Sequence, residues 1–236
     1  MLPVLEFRNV TRTYESGSGE SRTDSLSILS NVSLKILPGE VIAIVGPSGS
    51  GKSTLLNIAG LLDKPDAGEV IFADSNPNNC VTINAASAQA LLAQLRRSSV
   101  GFVFQHFHLM SSLTVLQNAA LPALLNHKPQ PFERARVLLE RVGLAHRLNY
   151  YPAQLSGGEM QRCAIARALV HAPRVIIADE PTGSLDSRSG LTVLELLREV
   201  SASVPGSALL IATHSAQVAK SASRIIELPF LLNTAA

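Results

Sequence analysis

The sequence predicts an α/β protein with a mainly parallel core sheet covered by helices and an inserted helical subdomain. Three observations carry this expectation. Four short apolar runs alternate with helical patterns, a glycine-rich loop joins the first run to a helix, and a long Leu/Ala-rich stretch interrupts the series.

The four runs are "VIAIV" (Val41–Val45), "VGFVF" (Val100–Phe104), "RVIIA" (174–178) and "ALLIAT" (208–213). Each is too brief for a helix and lacks the alternation of a half-exposed strand, so each reads as a strand buried on both faces. "EFRNV", "NVSLKI" and "GEVIFA" read as more exposed strands, with turns at Pro38-Gly39 and Ala67-Gly68. From about residue 89 to 172 the pattern turns helical, interrupted by Pro122, Pro129, Pro131 and Pro152. Residues 1–88 and 173–236 then form the sheet-bearing core, and 89–172 an inserted, largely helical subdomain. The Ser-rich piece "ESGSGESRTDSLS" (15–27) reads as a surface loop.

With 236 residues, 46% hydrophobic and 16% charged, the chain is globular and large enough to fold without covalent staples. A net charge of +2 with mixed signs gives no nucleic-acid surface. Cys80 and Cys163 are far apart and outside any C-x-x-C, which suggests free thiols in a reducing compartment and no zinc site. Glu6 falls early in an N-terminus that lacks a signal-peptide core, and no run approaches the ~18 apolar residues of a membrane helix. A cytosolic protein that reaches a membrane only through a partner is expected.

"GPSGSGKST" fits G-x-x-x-x-G-K-[ST] and sits between the strand Val41–Val45 and the helical pattern "STLLNIAGLL". Gly46, Pro47, Ser48, Gly49, Ser50, Gly51, Lys52, Ser53 and Thr54 thus form a phosphate loop whose N–H groups close around phosphate oxygens. Lys52 is expected at the β- and γ-phosphates and the Ser53 hydroxyl at Mg²⁺. The chain is expected to bind a nucleoside triphosphate.

Ligands of a parallel sheet lie beyond the carboxyl ends of its strands. Asp179 and Glu180 follow "RVIIA", His214 follows "ALLIAT", and Gln105 follows "VGFVF". Unpaired charge at the end of a buried strand is costly unless metal, water or substrate meets it. Asp179 is expected at Mg²⁺, Glu180 as the general base on the attacking water, His214 as a γ-phosphate sensor, and Gln105 at the metal or the water. Plain alternatives exist: the Asp-Glu pair before Pro181 could cap a helix, and His214 could be structural. His106 and His108 flank Gln105 and are not expected to form a metal site.

"LSGGE" poses a separate problem. Ser156 and Glu159 have the spacing of a capping box, which leaves Gly157 and Gly158 as a cost of about 2 kcal/mol in the first helical turn. Adjacent glycines at a helix N-terminus let another molecule approach the backbone and its N–H donors. These residues describe a second phosphate-facing site in a chain with one phosphate loop.

Taken in order, these motifs resemble the ATPase subunits of ABC transporters, over nearly the whole chain. The resemblance implies the P-loop ABC ATPase fold, which adds a small antiparallel β subdomain, with Gly46 to Thr54 as Walker A, Gln105 as the Q-loop glutamine and "LSGGE" as the signature. "VIIADE" is similar to Walker B, Ser184 to Asp186 to the D-loop, and His214 to the switch histidine. It also implies that Tyr14 stacks on adenine, that Asp186 belongs to the nucleotide interface, and that ATP and Mg²⁺ are the cofactors. Ser156 and Gly158 of one chain would then contact the γ-phosphate held by Lys52 of a second copy, in a homodimer that drives a membrane permease from the cytoplasmic face of the inner membrane.

"GFVFQHFHLMSSLTVLQNAALPALL" and "ADEPTGSLDSRSG" resemble the lipoprotein-release and macrolide-export branch, whose permeases have few transmembrane helices and large periplasmic domains. An importer or cell-division ATPase remains the alternative within the family. A non-transport ABC protein or a P-loop kinase fits less of the sequence. Ser215 follows His214 where the family usually has aspartate, and "PFLLNTAA" replaces the usual Asp-Gly turn, so control by a C-terminal appendage is not expected.

Overall fold

A computed structural model describes residues 2–16, 24–73 and 80–228. Two sheets organise them. β1 (Leu5–Ser16), β2 (Asp24–Ile36), β4 (Ala67–Ala73) and β5 (Cys80–Ile83) pair antiparallel in the order β2-β1-β4-β5. β3 (Val41–Val45), β6 (Val100–Phe104), β7 (Val175–Asp179), β8 (Ala208–Ala212) and β9 (Arg224–Glu227) form a five-stranded parallel sheet in the order β6-β7-β8-β3-β9.

All four apolar runs are strands of the parallel sheet, and their lack of alternation has the expected cause. Val175 and Ile177 of β7 face one core while Ile176 and Ala178 face the other, and Leu210 and Leu209 of β8 divide in the same way. The first core lies between the parallel sheet, α1 (Lys52–Ala59) and the antiparallel sheet, with Phe7, Phe72 and Leu55 among its fully buried side chains. The second lies under α3 (Val115–Leu125), α4 (Pro131–Arg141), α5 (Gly157–Leu169) and α6 (Ser187–Ala202). α2 (Gln89–Ser99) buries Leu92 and Leu95 in the first core, and α7 (Ala216–Lys220) places Val218 in the second.

Several local expectations change. The Ser-rich segment contributes strand at both ends, because ladder pairing of Glu15 with Ser25 and Thr13 with Ser27 satisfies backbone that composition alone assigns to solvent. Residues 17–23 of that segment, and "PFLLNTAA" after Leu228, lie outside the described residues. Ala67-Gly68 opens β4 instead of making a turn. A Cβ on Gly68 would lie 2.2 Å from the Asn9 carbonyl oxygen, so the glycine admits the irregularity in β1. Pro122 does not end α3, whose Val115, Ala119, Ala120 and Ala123 are buried. The Asn126 side chain donates to the Pro122 carbonyl at 2.8 Å as the helix closes. Pro131, by contrast, opens α4, where its missing N–H has no intrahelical partner to lose. No helix among the described residues is long and apolar enough to cross a membrane.

Candidate nucleotide site

The loop between β3 and α1 turns on three glycines with positive φ, Gly46 at 151°, Gly49 at 80° and Gly51 at 94°. Gly51 caps α1 without any side-chain acceptor, so the first-turn N–H groups are not tied up by a capping oxygen. The Lys52 ammonium donates to the carbonyls of Gly46 and Pro47 at 2.8 and 2.9 Å, which arches the loop over its own lysine. Together these features are built to receive an anion.

The loop forms the floor of a cleft of about 380 Å³. Ser48, Gly49, Gly51, Lys52, Ser53 and Thr54 line it from below, Tyr14 and Ile28 from the antiparallel sheet, and Asp179, Glu180 and His214 from the strand ends. The parallel register explains the last group: β7 and β8 are neighbours, Asp179 pairs with Ala212, and both strands run out at one edge.

Burial pushes the Asp179 carboxyl above its ordinary value, while Lys52, the Ser53 hydroxyl and His214 pull it back. Asp179 and Ser53 therefore present two hard oxygens beside the lysine, a donor set that fits Mg²⁺. Glu180 is also raised, first by burial and further by Asp179, against the opposing pull of His214 and Lys52. Its backbone is left-handed, with φ 45°, and its N–H donates to the Ala212 carbonyl at 3.0 Å. Left-handed backbone costs a non-glycine residue about 1–3 kcal/mol, and here the turn carries the side chain off the strand direction taken by Asp179. Among the described residues the buried Oε1 of Glu180 has no hydrogen-bond partner of acceptable geometry, although His214 Nε2 is 3.4 Å away. Ser215, in the position where aspartate is more usual, caps α7 by accepting from the Val218 N–H at 3.4 Å.

Gln105 lies elsewhere. It does not line the cleft; its side chain rests against Gly183, where an added Cβ would fall 2.9 Å from Nε2. Its carbonyl accepts from the Ser184 hydroxyl at 2.8 Å. The His108 ring packs tilted against Phe104, with ring centroids 4.8 Å apart and an interplanar angle of 56°.

A second cleft, of about 430 Å³, is lined by Ser156, Gly157, Gly158, Arg162, Ser184, Leu185 and Asp186, with α6 residues behind them. The capping box at Ser156 is fully formed. The Glu159 N–H donates to the Ser156 hydroxyl at 3.3 Å, and the Glu159 carboxylate accepts from the Ser156 N–H at 2.8 Å. Arg147 holds the other carboxylate oxygen at 3.0 Å, so Glu159 positions the helix end and is not directed outward. The two glycines differ. A Cβ on Gly157 would meet Leu185 at 3.3 Å, whereas one on Gly158 would meet nothing within 4 Å. No contact among the described residues accounts for glycine at 158. The two clefts share no residue: Lys52 lines one, and Ser156 and Gly158 line the other.

Sequence reasoning did not find Ile28, Arg147 or Gln161. Ile28 reaches the cleft only through the β2 pairing, and Arg147 meets Glu159 only through the fold. Gln161 is fully buried and donates to the Pro181 carbonyl at 2.7 Å, tying α5 to the segment after Glu180. Its one sequence signal is a polar residue on the buried side of a helix.

A family profile described as ABC transporter matches residues 29–183, which include the phosphate loop, the second glycine-bearing helix end and Glu180. The chain belongs to the ABC transporter family. As a cassette of that family it binds and hydrolyses ATP. It is 45% identical over 227 residues to an uncharacterized ABC transporter ATP-binding protein of Methanocaldococcus jannaschii, covering 95% of each chain. It is 46% identical over 230 residues to the macrolide export ATP-binding/permease protein MacB of Escherichia coli K12, covering 97% of this chain and 33% of that protein. The cassette thus spans about a third of its macrolide-export relatives. Among solved structures it resembles the dimeric ATP-binding cassette MJ0796 in a post-hydrolysis state bound to ADP and Pi, with a TM-score of 0.79, 39% identity and coverage of 94% and 93% of the two chains.

Proposed function

We propose that two copies of this cassette close around two ATP molecules, each bound by the phosphate loop of one copy and the Ser156–Gly158 helix end of the other. The observation that carries the proposal is the separation of the two anion-facing sites into clefts with no residue in common. The open space at Gly158 supports it, since a Cβ there would meet nothing within 4 Å among the described residues. A two-fold pair satisfies both sites at once. The dimeric state of the similar cassette fits the same arrangement.

Within each site Lys52 and the N–H groups of the loop hold the β- and γ-phosphates. Ser53 and Asp179 are the proposed ligands of Mg²⁺, which when bound neutralises phosphate charge. Glu180 accepts the proton of the attacking water. Its raised pKa brings it closer to neutral pH, where a general base works best. His214, across the strand edge, contacts the γ-phosphate. Tyr14 stacks on the base, Asp186 lines the partner's side with Ser156 and Gly158, and Gln105, beside Gly183, reports the state of the site to the helical subdomain made by 89–172. Loss of the γ-phosphate removes the contact shared by the two copies and releases them.

The work is proposed to drive a membrane permease in export or lipoprotein release, from the cytoplasmic face of the inner membrane; the macrolide-export relatives favour this branch over an importer. The permease docks in the apolar groove of about 500 Å³ beside β6, lined by Phe102, Phe104, Leu121 and Leu125 together with Arg96 and Arg97.

Mixing tests the shared site. Lys52→Ala and Gly158→Asp chains should each fail to hydrolyse ATP, and an equimolar mixture should regain phosphate release because a mixed pair contains one intact site. A mixture as inactive as its components counts against the proposal.

A further inference from the structure

Tyr14 is held more firmly than a cleft-lining aromatic needs to be. Its hydroxyl donates to Asp63 Oδ2 at 3.1 Å, and Arg12 Nε donates to the same oxygen at 2.9 Å. The Arg12 guanidinium also lies over the Tyr14 ring, 4.8 Å from its centroid, and pairs with Asp66 through its other arm. Asp66 in turn accepts from the Thr13 N–H at 2.7 Å, fixing the backbone next to the tyrosine. One face of the ring is therefore covered by a cation, and its far end is pinned to the loop after α1. Tyr14 is still 38% exposed and lines the cleft, which leaves the opposite face to meet a ligand.

We infer that Arg12 and Asp63 are positioning residues for the nucleotide base: they lock the Tyr14 ring in the orientation in which its free face stacks on adenine. The inference rests on the reading of Tyr14 as the stacking aromatic. An aromatic ring without such restraints loses rotamer freedom when a base lands on it, and restraint before binding removes that cost. The lock also has a geometric source in the fold. β1 delivers Arg12 and Tyr14 to one side of the sheet two residues apart, and the turn after α1 delivers Asp63 and Asp66 beside them. The phosphate loop feeds directly into α1, so base contact and phosphate contact are fixed by the same helix, one at each end.

The test compares binding of ATP with binding of inorganic tripolyphosphate, which has the phosphates and no base. Titration calorimetry on the full chain would measure both for Tyr14→Ala, Arg12→Met, Asp63→Asn and the Arg12→Met/Tyr14→Ala pair. Arg12→Met and Asp63→Asn should each weaken ATP binding about two- to fivefold, the range of an exposed cation–π contact, and leave tripolyphosphate binding unchanged. In the Tyr14→Ala background Arg12→Met should cost nothing further. An equal loss for both ligands, or an undiminished loss in the Tyr14→Ala background, would make Arg12 a structural residue and overturn the inference. If Tyr14→Ala discriminates between the ligands while Arg12→Met and Asp63→Asn do not, the lock fails and the stacking role stands. If Tyr14→Ala does not discriminate, both fall together.

Discussion

His214 Nε2 stands 3.4 Å from Glu180 Oε1, across the carboxyl edge of two neighbouring parallel strands. The carboxylate is mostly buried and raised above its ordinary pKa, and the histidine is more than half exposed. An acid held inward and an imidazole facing the cleft match the separate tasks proposed for them, the first at a water and the second at a phosphate.

The raised carboxyls make a stability prediction. A carboxyl whose folded pKa lies above its unfolded one contributes most below the unfolded pKa and loses that contribution as pH rises through the folded pKa. At neutral pH the Glu180 charge is therefore a burden on the free cassette. Glu180→Gln should raise the melting temperature at pH 7 by on the order of 2 °C, with the gain shrinking as pH falls into the carboxylate range. Thermal melts across pH 4–8 (roughly the span of the titration) would check this.

His171 carries the opposite sign. It is 3% exposed, contacts the Val100 carbonyl at 3.1 Å, and burial with the nearby Lys128 depresses its pKa to about 4. The unfolded chain takes up that proton near pH 6.5 and the folded chain resists until about pH 4, so stability falls as pH drops through this window. The loss should be on the order of 3 kcal/mol in denaturant titrations. His171→Gln should flatten the acid limb.

Glycines 101 and 158 should respond in opposite ways to alanine. A Cβ at Gly101 would lie 2.2 Å from the Ala168 carbonyl oxygen, where β6 packs on α5, so Gly101→Ala should destabilise by about 1–3 kcal/mol or more. At Gly158 the space is open and the helix gains propensity, so Gly158→Ala should stabilise the isolated chain by up to about 1 kcal/mol. Urea melts of the two variants would check both signs.

How far the sequence announces this structure depends on the range of the interactions involved. The phosphate loop, Asp179, Glu180 and His214 are legible because each sits where a buried strand ends, and strand ends are marked by local hydrophobic runs. The short β5 and β9 are not, because "CVTI" and "RIIE" become strands only through their neighbours in the sheets. The same holds for Arg12 with Asp63 and for Arg147 with Glu159, pairs made by packing between distant segments. Gln105 shows the limit in the other direction. Its place at the end of β6 is legible, yet the turn beyond it carries its side chain to Gly183 and away from the cleft.

In the proposed pair Gly158 serves a phosphate held by another copy, and light scattering of nucleotide-bound chains reads this out as mass. Glu180→Gln at saturating ATP should have the mass of two chains, whereas Glu180→Gln with Gly158→Asp should have the mass of one chain and still bind ATP. A Glu180→Gln chain that stays single while holding ATP, or a Glu180→Gln with Gly158→Asp chain that no longer binds ATP at all, would overturn that arrangement.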